Sequence, residues 1–198
     1  MAPAAGALVY GNICLLLFLV FAAAAAADKS KGAGPGPKQQ QQLVQSTCNS
    51  TTYYDVCVAA LTSGSDASTG AVDVRGLCAI AVSVAAANAS ASAASVVGSA
   101  AAYQGQTTGA LLRACGGRYA NAREALVSAQ DALKEEAYDD AFVHVSAAAQ
   151  YPTMCRALFR RPHPAVAYPP ELARREEGLR RLCTVVLDII SLLLVTVP

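Results

Sequence analysis

The sequence predicts an all-α protein, an up-down-up-down four-helix bundle with an N-terminal helical hairpin, stapled by disulfides. Three observations carry this. Apolar residues recur at steps of three and four along several long stretches. No segment of comparable length alternates in the manner of a strand. Of seven cysteines, only Cys14 falls in an N-terminal segment with the anatomy of a secretory leader, which leaves Cys48, Cys57, Cys78, Cys115, Cys155 and Cys183.

That leader sets the boundaries. Residues 1–27 hold no charged side chain, and an apolar run from Ile13 through Phe21 ends in six alanines before Asp28 and Lys29. The pattern predicts a cleaved signal peptide over 1–27, although a basic residue near the start is missing. The run is too short for a comfortable bilayer span, so no stable membrane insertion is expected after cleavage. Residues 28–42 combine Gly-Pro-Gly-Pro with a glutamine run, a composition that buries too little apolar surface to order itself, and read as a flexible leader. The folded domain is expected over 43–194.

Two short helical pieces open it, over 43–47 and about 53–61, with Cys48 and Cys57 at corresponding places. If paired, those cysteines close a short loop and fix a hairpin too small to hold itself together. The first long helix is expected over about 68–103, where Leu77, Ile80, Val84, Ala87, Ala91 and Ala94 recur at helical spacing. A turn follows at residues 105–109. The second long helix carries the clearest stripe: Leu112, Cys115, Tyr119, Ala122, Leu126, Ala129 and Leu133. A third is expected over 138–149, interrupted by Pro152 and continued to Phe159. Prolines at 162, 164, 169 and 170 mark a connection. The fourth starts at Pro170-Glu171, with Leu172, Leu179, Leu182, Val186, Ile189 and Leu193 on its stripe and Arg175 as the exception.

Composition excludes several function classes. A net charge of +1 and the lack of a basic stripe interleaved with aromatics give nucleic acid no support as a partner. No Cys-x-x-Cys pair exists and neither histidine lies at ligand spacing from a cysteine, so no metal is expected, and no motif implies a cofactor. His144 sits between valines and His163 between prolines, without a nucleophile elbow or phosphate loop beside them. Glu135-Glu136 and Asp139-Asp140 are adjacent acids, which point about 100° apart on a helix and do not converge on one substrate atom. No enzyme activity is expected. Two sequons, at Asn49 and Asn88, are glycosylation candidates. A bridge between Cys115 and Cys155 would close a loop of about forty residues and contribute roughly 4 kcal/mol, but six cysteines permit fifteen connectivities.

The residues then resemble a family. Thr47-Cys-Asn-Ser-Thr-Thr-Tyr-Tyr-Asp-Val-Cys57, Asp73-Val-Arg-Gly-Leu77, Ala87-Asn88-Ala89, Leu112-x2-Cys115-x3-Tyr119-x6-Leu126, Ala148, Cys155 and Glu171-Leu172-Ala173 follow, in order, the pattern of plant invertase and pectin methylesterase inhibitors. The Tyr-Tyr-Asp-Val-Cys and Pro-Pro-Glu-Leu-Ala segments are similar to a subgroup described as invertase inhibitors. The resemblance implies disulfides Cys48–Cys57 and Cys115–Cys155, with Cys78 and Cys183 outside the shared set and a third bridge between them left open. It implies a secreted inhibitor of the apoplast or cell wall, or of the vacuole, that occludes the cleft of a pectin methylesterase or an acid invertase. Invertase-directed members often carry Pro-Lys-Phe after the second long helix. Here Tyr138, Asp139 and Asp140 stand instead, and these are the candidate partner contacts. Two other readings stay open on composition: a secreted module binding a small apolar ligand between its helices, which needs a large apolar cavity, and a wall-associated structural protein.

Overall fold

The computed structural model describes residues 36–63, 73–162, 164 and 166–196. The expected signal peptide, most of the expected leader and His163 lie outside these residues. Helix α1 spans Pro37–Cys48 and α2 spans Tyr54–Thr62. The long helices are α3, Val74–Ala100, and α4, Thr107–Lys134, joined through a 3-10 turn at Ala101–Tyr103. Helices α5, Tyr138–Gln150, and α6, Thr153–Arg160, precede α7, Pro170–Thr196. Among the described residues there is no strand.

Helix α3 packs on α4 and α7, and α5 packs on the same two, so α3, α4, α5 and α7 close a ring in chain order. That is the up-down-up-down bundle. α6 leans on α4, and the α1–α2 hairpin is carried by α3 and α7. The domain is all-α, and its core runs the length of the ring, with Tyr119 and Phe159 its bulkiest fully buried side chains.

Helix α1 begins at Pro37, inside the segment read as leader. Proline suits a first helical position and glutamine is a good helix former, so a polar run that lacks a core of its own still extends a helix ordered further on. Asp73 caps α3 by accepting from the Gly76 N–H at 2.8 Å. The stripe expected on α3 is buried only at its start, since Ala87, Ala91 and Ala94 are exposed. The buried face is Cys78, Ala81, Ala85, Ala89, Ser92, Val96 and Ala100. An alanine-rich helix offers little contrast between faces, so its neighbours choose which face is covered. α3 with its following turn is apolar and long enough to cross a bilayer, yet half of its most apolar window is buried in the bundle.

On α4 the expected stripe is buried at every position. The helix ends with Glu136 in the left-handed region, at φ 59°. Ala137 N–H donates to the Ala132 carbonyl at 2.9 Å and Glu136 N–H to that of Leu133 at 3.3 Å. This is a Schellman end with glutamate at a position that favours glycine. Pro152 breaks the third helix where expected. The proline-rich connection is strapped down by Tyr168, whose ring meets Phe159 edge-on at 5.3 Å and lies beneath the Arg156 guanidinium at 4.8 Å. Its hydroxyl donates to Glu176 at 2.8 Å.

Candidate functional site

The cysteines show where the structure is clamped. Cys48 and Cys57 form a disulfide, with Cα atoms 5.6 Å apart and nine residues of separation. A loop that short contributes roughly 2.5 kcal/mol on the chain-entropy estimate. Between them the hairpin turn is tied to the last helix: Thr52 N–H donates to Asp188 at 2.7 Å, and Arg180 donates to the Tyr53 hydroxyl at 3.0 Å. Arg180 and Arg181 also lie over the Tyr53 ring, at 5.7 and 5.4 Å. Both arginines bond Glu177, which holds that carboxyl down at about 2.

Cys115 and Cys155 are buried thiols side by side, from α4 and α6. The hydrogen bond between them, and then burial, pushes the Cys155 thiol well above its ordinary value. Cys78 and Cys183 are buried thiols too, each pushed up to about 12 by burial alone. Tyr119, beside Cys115 and Cys155, has a fully buried hydroxyl without a hydrogen-bond partner, and burial raises its pKa.

The candidate contacts stand where α4 gives way to α5. Asp139 and Asp140 are exposed in the first turn of α5, and Tyr138 is half-buried. With Glu136, Ala137 and Leu194 they line an open groove of about 440 Å³. Acids in a first turn complement the helix dipole, which favours α5 starting there. One turn on, Phe142 and Val143 are exposed at 36% and 64%, so the acidic rim borders an uncovered apolar step. Periodicity missed these two, because α5 reads as apolar on most sides and only packing shows which residues stay outside. Glu136 itself pairs with Arg75 of α3. A second groove, of about 580 Å³, lies between α3 and α4 and is lined by Asp73, Arg75, Ser83, Gln130 and Lys134.

Among the described residues a partly enclosed cavity of about 190 Å³ is bounded by Ser99, Tyr103, Leu112, Leu172 and Arg175. Ligand pockets are usually some 300 Å³ or more. That cavity is below the usual size for a small apolar ligand. Among the described residues no cluster of His, Cys, Asp and Glu is arranged to hold a metal. His144 is half-buried on α5.

The described chain is thus a pre-shaped helical bundle with a charged, partly apolar rim at the start of α5. The chain belongs to the plant invertase/pectin methylesterase inhibitor family, whose pattern matches residues 42–189. It is 54% identical over 160 residues to Pectinesterase inhibitor 28 of Oryza sativa subsp. japonica, covering 76% of this chain and 69% of that protein. It is 40% identical over 150 residues to Cell wall / vacuolar inhibitor of fructosidase 2 of Arabidopsis thaliana, covering 75% of this chain and 82% of that protein. Crystal structures of a pectin methylesterase inhibitor from Arabidopsis share the fold. A mutant form matches at a TM-score of 0.57 and 19% identity, over 73% of this chain and 92% of that one. Another matches at 0.54 and 17%, over 76% and 95%. The chain is thus an inhibitor-family protein and not an enzyme, and a protein partner is its family's mode of action.

Proposed function

We propose that this chain inhibits a pectin methylesterase by one-to-one occlusion of its substrate cleft. The observation that carries the choice of target is the 54% identity to a protein named for pectinesterase inhibition, against 40% to one named for fructosidase inhibition. Tyr138-Asp139-Asp140 in place of Pro-Lys-Phe supports the same choice. The proposed docking face is the start of α5, with the acids at the rim and Phe142 and Val143 as its apolar centre, the arrangement common to protein interfaces. Because the helices are already packed, association orders little that was loose, and affinity goes into contact.

The proposed setting is secretion, with residues 1–27 removed and a Cys115–Cys155 bridge closed from the two adjoining thiols. Of the two sequons, Asn49 is exposed in the turn after α1, whereas Asn88 is half-buried in α3 with its side-chain oxygen covered and unpartnered. Asn49 is the proposed glycan acceptor. The test is a titration of mature protein into a plant pectin methylesterase and an acid invertase. The expected result is saturable, near-equimolar loss of the first activity. Loss of only the invertase activity would reassign the target, and no effect on representative panels of either would remove the reading.

A further inference from the structure

The near-zero net charge conceals a segregation that the fold creates. Four arginines lie at one end of the bundle: Arg113 and Arg118 on α4, within three residues of Cys115 but on different sides of that helix, and Arg160 and Arg161 at the end of α6, five and six residues beyond Cys155. Helical rise puts each within about 10 Å, along its own helix, of the nearer of those two cysteines. Arg113, Arg160 and Arg161 are exposed and Arg118 is half-buried. None of the four has an ion-pair partner among the described residues.

The acids at this end are already engaged. Glu171 is bonded by Arg174 and Arg175, and Glu176 by Arg156 and Tyr168. Glu177, further along α7, is bonded by Arg180 and Arg181. Three of the described acids without an ion-pair partner, Glu135, Asp139 and Asp140, sit at the other end of α4, twenty residues or more from Cys115, or about 30 Å along the helix. That distance is several times the screening length of about 8 Å at physiological salt, so the two ends do not neutralise each other.

We propose that the arginine end binds a polyuronate, a polysaccharide with a carboxylate on each sugar, at a site separate from the enzyme-docking face. Guanidinium groups match carboxylates in paired hydrogen bonds. A run of fixed carboxylates would also release condensed counterions on contact with unpaired cations. The field fits a polyanion better than an acidic protein face. Its one exposed large apolar side chain on α6 is Met154, and the exposed aromatic Tyr103 stands in the turn before α4, not on α6. The proposal deepens the functional reading and rests on it for its biology: hydrolysis of a pectin methyl ester by water gives a carboxylate, a proton and methanol, so the target enzyme's own product would be the ligand.

The experiment measures binding of the mature chain to polygalacturonate and to highly methyl-esterified pectin across a salt series. Expected are binding to the first only, falling steadily with salt, and roughly tenfold weaker binding for Arg160→Glu with Arg161→Glu. The same double variant should keep its helical circular dichroism and its inhibition of the enzyme. Equal binding to the esterified polymer, or no effect of the reversals, overturns the proposal. Loss of inhibition with polysaccharide binding intact overturns it too, since the enzyme would then occupy the arginine end. A chain that binds polyuronate but inhibits no pectin methylesterase leaves this site standing and removes the functional reading.

Discussion

At the scale of single residues, the thiols divide into two kinds. Cys78 and Cys183 are free, buried thiols held neutral by burial, with pKa values of about 12. Cys115 and Cys155 touch. Mature protein folded under oxidising conditions, then denatured without reductant, is expected to titrate two thiols per chain with Ellman's reagent, and none before denaturation. Four would show that the adjoining pair stays reduced. Glu177 gives a second residue-scale expectation. Its folded pKa, about 2, lies below the ordinary 4.5, so its contribution to stability is complete above about pH 4.5 and disappears as pH falls through 2. The difference in Tm between the wild type and Glu177→Gln should be level at neutral pH and close towards pH 2. It should also shrink with salt, because the group is on the surface.

At the scale of elements, neighbouring glycines of α4 have opposite roles. A Cβ on Gly116 would sit 2.3 Å from Cγ2 of Val97 on α3, whereas one on Gly117 would meet nothing within 4 Å. Valine is stiff, so α3 and α4 would have to separate. Gly116→Ala is expected to cost about 1–3 kcal/mol, and Gly117→Ala to add up to about 1 kcal/mol through helix propensity. Chemical denaturation of both variants checks the pair; equal effects would mean that the helices do not meet as closely as described. The same two helices show how far the sequence could be read. α4 contrasts large apolar residues with polar ones, and its stripe was legible in full. α3 is alanine on nearly every side, so its period was visible but its buried face was not. The hairpin cysteines were legible only through family resemblance, since spacing alone does not choose among connectivities. Asp139 and Asp140 could be singled out as candidates only through the family resemblance, which sets them where other members carry Pro-Lys-Phe. Phe142 and Val143 could not, because nothing local distinguishes an apolar residue left outside from one packed inside.

At the scale of the molecule, the bundle keeps opposite charge at opposite ends while summing to nearly nothing, and a sequence-wide net charge is blind to that. Reversal of the acidic rim by Asp139→Lys with Asp140→Lys is expected to weaken inhibition of pectin methylesterase roughly tenfold. Polyuronate binding at the far end should be unchanged or slightly stronger. Unaltered inhibition would move the docking face elsewhere on the bundle.

The way the hairpin is moored also orders the birth of the fold. Its covalent clasp joins residues nine apart, but Thr52 and Tyr53 reach partners 136 and 127 residues later in the chain. During synthesis the clasp can close while α7 is still unmade, leaving a finished clip with only α3 to lean on. Only when the last helix emerges is the seat of the hairpin complete. A chain cut short before Arg180 would therefore strand the hairpin as well as open the core.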